Sequence, residues 1–146
     1  MTFRFRLVPT VLTLGLALAL GTAPLSAQYA GWKIPGNGER DTSPVVGSRE
    51  AAARGRELFR THCTSCHGPL GKGDGPASNR AADLTDPLRV EINPEGVLFY
   101  KIWYGHLVSL REGRFNMPAF EGTLSRDETW AVVEHVKALR TPTLQP

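Results

Sequence analysis

Cysteine is scarce in this chain, with two in 146 residues. That excludes a disulfide scaffold, which takes several cysteine pairs, and leaves a tetrahedral zinc site short of thiolates. Methionine is as rare, at Met1 and Met117 only. No uncharged apolar run reaches the roughly 20 residues of a membrane-spanning helix; the best, Leu7 to Leu20, includes Pro9, Thr10 and Thr13. There is no internal repeat and no low-complexity block. Sustained two-residue alternation is missing too, so no sheet is expected. Charge of one sign does not accumulate: 17 Lys and Arg stand against 14 acids and are interspersed with them, which excludes the basic stripe of a nucleic-acid footprint. With 41% hydrophobic and 21% charged residues, the composition is that of a small globular domain, neither collagenous nor wholly disordered.

The N-terminus reads as an export signal. Arg4 and Arg6 make a positive start, Leu7 to Leu20 an apolar stretch, and Gly21 to Ala27 a small-residue run ending in Ser26-Ala27, the order of a cleavable secretory leader. Loss of residues 1–27 takes Lys and Arg from 17 to 15 against 14 acids, a net of +1. The folded part is expected outside the cytoplasm, in the periplasm, and on the membrane only if the leader stays as an anchor. There two cysteines ordinarily oxidise to a disulfide.

Residues 28–48 carry Gly31, Pro35, Gly36, Gly38, Pro44 and Gly47 without helical or strand period, an extended lead-in in which Trp32 and Ile34 are expected to dock on the core. Ser48 predicts a helix over 49–63 by capping its first turn. Pro69, Gly71, Gly73, Gly75 and Pro76 forbid regular structure after it. Asn93-Pro94 reads as a cap followed by proline at the first helical position, with Gly105 as the stop, for a helix over 94–104. Ser125 and Glu128 form a capping box for a last helix over 126–140, whose Trp130, Val133, Val136 and Leu139 make one apolar stripe. The expected domain covers 49–141, with 142–146 as a tail, and its class is all-α with long loops.

Cys63-Thr64-Ser65-Cys66-His67 is the C-x-x-C-H spacing of covalent haem c attachment. Two thiols one helical turn apart can add to the two vinyl groups of one porphyrin, and the next residue then faces the iron as its proximal ligand. The competing readings are weaker. A thioredoxin-like dithiol opens a helix after a strand, whereas this pair closes a predicted helix; a plain disulfide gives His67 no role; zinc lacks ligands. For the second axial position Met117 is the only methionine left after the leader. It lies in a loop, where Pro118 restricts it to extended backbone and can aim its thioether. His106, beside Gly105, is the competing ligand. His62 is expected to face solvent, and His135 to pack within the last helix.

With these residues in place, the sequence resembles the class I cytochromes c, and more closely the single-haem domains of the cbb3-type oxidase group. Gly55, Leu58-Phe59, Cys63 to Gly68, Gly73-Asp74-Gly75-Pro76, Ala82 to Thr85, Gly105, Met117 to Phe120 and Leu124-Ser125 through Leu139 follow the family's order. The resemblance implies a class I cytochrome c fold, in which the first and last helices cross at close range. Gly55 and Phe59 match the first helix's contribution. The last helix's usual aromatic is replaced by His135, and Trp130 is the candidate to compensate. The resemblance also implies a proline carbonyl that accepts the Nδ1–H of the proximal histidine; Pro76 matches best and Pro69 less well. The stretch from Gly105 to Met117, with Arg111, Glu112 and Arg114, looks long for the family and suits partner contact or shielding of a haem edge.

The function so expected is single-electron transfer between redox partner proteins by an exported monohaem cytochrome. Cys63 and Cys66 would tether one haem c, and His67 and Met117 would ligate its iron. Six-coordinate iron leaves no open site, so no catalysis by this domain alone is expected. The alternatives are a haem subunit bound stably to a periplasmic dehydrogenase or oxidase and, in a different class, a haem enzyme or gas sensor with a labile sixth ligand.

Overall fold

The computed structural model describes residue 29 and residues 31–78, 81–107 and 116–140. The expected leader over 1–27, the tail over 142–146 and the stretch with Arg111, Glu112 and Arg114 fall outside the described residues. Helices form where the sequence supplies caps. The hydroxyl of Ser48 accepts from the Ala51 N–H at 3.1 Å and starts α1, Arg49–His62. After the turn at Cys63 comes a single-turn α2, Thr64–His67. The last helix, α5, spans Arg126–Leu139, and its capping box is complete: Ser125 Oγ accepts from the Glu128 N–H, and Glu128 accepts from the Ser125 N–H.

Two short elements were not expected. A five-residue helix, α3 at Leu88–Ile92, begins where the Asp86 carboxylate accepts from the Leu88 N–H; at one turn it carries no readable period. The helix anticipated over 94–104 is α4, Glu95–Tyr104. Its cap differs from the sequence reading: Pro94 occupies the N-cap, and the buried Asn93 turns away to donate to the Arg89 carbonyl and accept from Lys101 Nζ. The other surprise is a two-residue antiparallel ladder, in which β1 (His106–Leu107) pairs with β2 (Asn116–Met117), with His106 opposite Met117. So small a ladder leaves the class all-α.

Packing is organised by the crossing of α1 and α5. At Gly55 a Cβ would stand 1.9 Å from the Ala131 carbonyl oxygen, so the two backbones meet with nothing between them. One turn on, Phe59 is 2% exposed and its ring meets that of His135 edge-on, centroids 5.1 Å apart. The imidazole thus fills the aromatic place at the crossing. Trp130 does not compensate there; it stacks on Phe99 of α4 at 4.4 Å and joins α4 to the crossed pair. Burial of Phe99, Val132, Val133 and Val136 beside these rings supplies the apolar gain that drives the assembly.

One charged group is buried among them. Glu134 is 5% exposed, a position that a carboxylate tolerates only when paired. It accepts from Lys137 Nζ at 2.9 Å and from the Gly47 N–H at 3.1 Å, and Lys137 also reaches Glu95 at 2.7 Å. The lead-in is thereby fastened to α5, and it is fastened to α4 by Tyr100, whose hydroxyl donates to Asp41 at 2.6 Å. Within it Gly38–Arg40 form a 3-10 turn; Ile34 packs against the core as expected, whereas Trp32 stacks on His106.

Candidate haem site

The Cys63–His67 segment is built on backbone hydrogen bonds. Cys63 closes α1 by donating to the Phe59 carbonyl, and its own carbonyl accepts from the N–H groups of Cys66 and His67 at 3.2 and 2.9 Å. A helical turn puts residues three and four apart on one face, so Cys66 and His67 lie over Cys63. The following loop doubles back and satisfies the turn's remaining carbonyls: the N–H groups of Gly73, Gly75 and Ala77 donate to His67, Cys66 and Ser65.

Both cysteines are free thiols and half-buried. Burial, with the neighbouring Cys66 adding, pushes the Cys63 thiol up to about 12. Dithiol redox chemistry needs a thiol lowered into the neutral range, the opposite of the direction in which burial moves Cys63. Among the described residues no cluster of three or more His, Cys, Asp or Glu could hold a metal ion.

His67 is oriented from behind. Its Nδ1 lies 3.1 Å from the Ala82 carbonyl, which corrects the assignment of that acceptor to Pro76, whose side chain is exposed. A carbonyl only accepts, so Nδ1 carries the proton and Nε2 keeps its lone pair for a ligand. Burial lowers the His67 pKa and keeps the ring neutral, with the Ala82 bond opposing in part. Phe59 flanks the imidazole at 6.4 Å. The Ala82 segment is itself held, since the Leu84 N–H donates to Gly71 and Arg140 Nε donates to the Leu84 carbonyl. Two thiols on one face of a turn, with a neutral imidazole oriented through Nδ1, are the donor set that covalent haem requires.

Met117 lies on β2, half-buried against the core. The segment after it hangs on the end of α4, where the Phe120 N–H donates to the Ile102 and Trp103 carbonyls. His106 is beside it on β1, with its ring under Trp32. His62 is half-buried and meets Phe120 edge-on at 6.2 Å, so it does not simply face solvent. The part that sequence reasoning missed is Ala82, which acts through its main chain and leaves no side-chain signature.

A family model described as cytochrome C oxidase, cbb3-type, subunit III matches residues 50–136. The chain belongs to that family. It is a class I c-type cytochrome, and the family's work is electron transfer. The cytochrome bc1 complex cytochrome c subunit of Corynebacterium diphtheriae is 32% identical over 89 residues, 60% of this chain and 27% of that one. The chain therefore spans about a quarter of that relative's length. A chain of the reducing HAO-like protein complex of Kuenenia stuttgartiensis superposes with a TM-score of 0.51 at 21% identity, covering 66% of this chain and 46% of that one. That likeness is one of fold.

Proposed function

We propose that this family member is an exported monohaem cytochrome that passes single electrons between redox proteins in the periplasm. In this reading Cys63 and Cys66 hold one haem c through two thioethers, and His67 and Met117 ligate its iron. The observation that carries it is the five-residue turn Cys63–His67 together with the Nδ1 contact of His67 to Ala82. When bound, the haem supplies a one-electron iron couple whose potential a thioether ligand raises relative to a second imidazole. The chain's own residues do the rest. Ala82 would fix the proximal ring, Phe59 would flank it, and Met117 would approach from the β1–β2 ladder.

The test is spectroscopic, on the matured haem protein. Pigment that stays with the polypeptide in acidified organic solvent supports thioether attachment; pigment that washes out refutes it. Met117→Ala should abolish the sulfur-to-iron band at the red end of the oxidised spectrum and lower the potential. An unchanged band would move the sixth ligand elsewhere. Ready binding of carbon monoxide by the reduced wild type at neutral pH would favour the enzyme or gas-sensor class instead.

A second reading is a haem subunit held stably in a larger complex, as the name of the Corynebacterium diphtheriae relative describes that protein. Co-purification separates the two, because a mobile carrier elutes as a monomer, whereas a subunit brings its partner.

A further inference from the structure

Two side chains able to ligate iron stand next to each other. His106 and Met117 are directly opposite in the antiparallel ladder, and directly opposite residues project from the same face with their Cβ atoms about 5 Å apart. Imidazole and thioether, the two candidate sixth ligands, are thus neighbours on one face. What distinguishes them is the lead-in. Gly31 is in the left-handed region, φ +86, and passes so close to the imidazole that a Cβ there would stand 2.5 Å from His106 Nε2. Trp32 then lays its indole on the same ring, with centroids 4.5 Å apart and planes at 29°. The indole is anchored in turn: Lys101 Nζ lies 4.7 Å from its centroid, and Lys101 is fixed by its bond to Asn93. Met117 is half-buried too, but packs against the core and not under the lead-in's indole.

We infer that Trp32 decides the identity of the sixth ligand by withholding His106, so that the thioether of Met117 and not the imidazole takes the iron. The inference rests on the axial reading of Met117 given above. It assigns a purpose to the lead-in that covering α4 does not explain, since a two-residue ladder has too few bonds to fix its side chains unaided. What is at stake is only which of the two side chains, the His106 imidazole or the Met117 thioether, would hold the iron when haem is bound.

The experiment uses the matured haem protein and three Trp32 variants. Trp32→Ala should shift the balance of sulfur and imidazole ligation about tenfold toward imidazole, the factor corresponding to the upper range of an aromatic stack. The sulfur-to-iron band weakens, a bis-histidine low-spin signal grows in the electron paramagnetic resonance spectrum, and the potential falls. Trp32→Phe, which keeps an aromatic face on the imidazole, should retain the band and guards against a variant that merely folds poorly. Removing the competitor in the Trp32→Ala, His106→Ala double variant should restore the band in full. An unchanged band and potential in Trp32→Ala, or a loss that persists when His106 is also removed, overturns the inference while leaving Met117 as ligand. If Met117→Ala alone leaves the wild-type band intact, the axial reading itself has failed.

Discussion

Replacing Gly55 with alanine tests the closest contact in the fold. The added Cβ would lie 1.9 Å from the Ala131 carbonyl oxygen, 2.5 Å from its carbon and 3.0 Å from His135 Cβ. A carbon and an oxygen approach no closer than about 3.3 Å, so the helices must part by roughly 1.4 Å at this point. The obstacle is backbone inside a helix, so no rotamer change relieves it. Alanine gains about 1 kcal/mol over glycine in helix propensity, whereas overpacking of a close-packed interior costs about 1–3 kcal/mol and occasionally more. Here the displacement also loosens Phe59 against His135, which places the cost at or above the top of that range. The expected net loss is about 2 kcal/mol or more, a fall in Tm of about 8 °C or more for a domain of this size. Denaturant unfolding of the haem protein, followed by far-ultraviolet circular dichroism and by Soret absorption, measures it. A variant within about 0.5 kcal/mol of wild type would show that α1 and α5 do not touch at Gly55 and would remove the reason given for glycine there.

Ser125→Ala deletes the hydroxyl that accepts from Glu128 N–H and should cost about 1 kcal/mol in the same assay, with Ser125→Asp close to wild type. Lys101 provides a pH dependence. Burial, reinforced by Arg89 and Arg140, lowers its amine to about 8, whereas the unfolded chain keeps the ordinary lysine value of about 10.4. Between those values the unfolded state binds more protons than the native one, so stability should rise with pH from about 8 to about 10. Thermal unfolding across that window should show the rise in wild type and a smaller one in Lys101→Met; equal slopes would mean that the amine is not held in an apolar setting.

The sequence made legible the features that depend on side-chain chemistry at fixed spacing. Cys63, Cys66 and His67 mark the candidate haem turn because thioether formation and ligation would need those groups one helical turn apart. Ser48, and Ser125 with Glu128, announce helix starts because the orphan N–H groups need an acceptor. Features that depend on the main chain or on three-dimensional proximity stayed hidden. The carbonyl facing His67 belongs to Ala82, a residue with no functional side chain, and the family resemblance pointed to Pro76 instead. Asn93 has the side chain of a cap, but Lys101 and the Arg89 carbonyl outcompete the helix for it. Trp130 looked like the partner for Phe59 on the stripe, yet helix rotation gives that place to His135 and sends the indole to Phe99. The ladder of His106 and Met117 is too short to leave any alternation.

The buried carboxylate of Glu134 has a consequence for trimming the protein. The family match begins at residue 50, but one of the bonds that satisfies Glu134 comes from Gly47, upstream of it. A minimal version cut at the family boundary would remove the Gly47 donor from Glu134, leaving it the bond from Lys137, and would also strip the aromatic cover from His106. The bonded unit is therefore larger than the family-matched one. An engineer who shortens this chain must either retain the segment from Tyr29 onward or replace Glu134 with an apolar residue of similar volume.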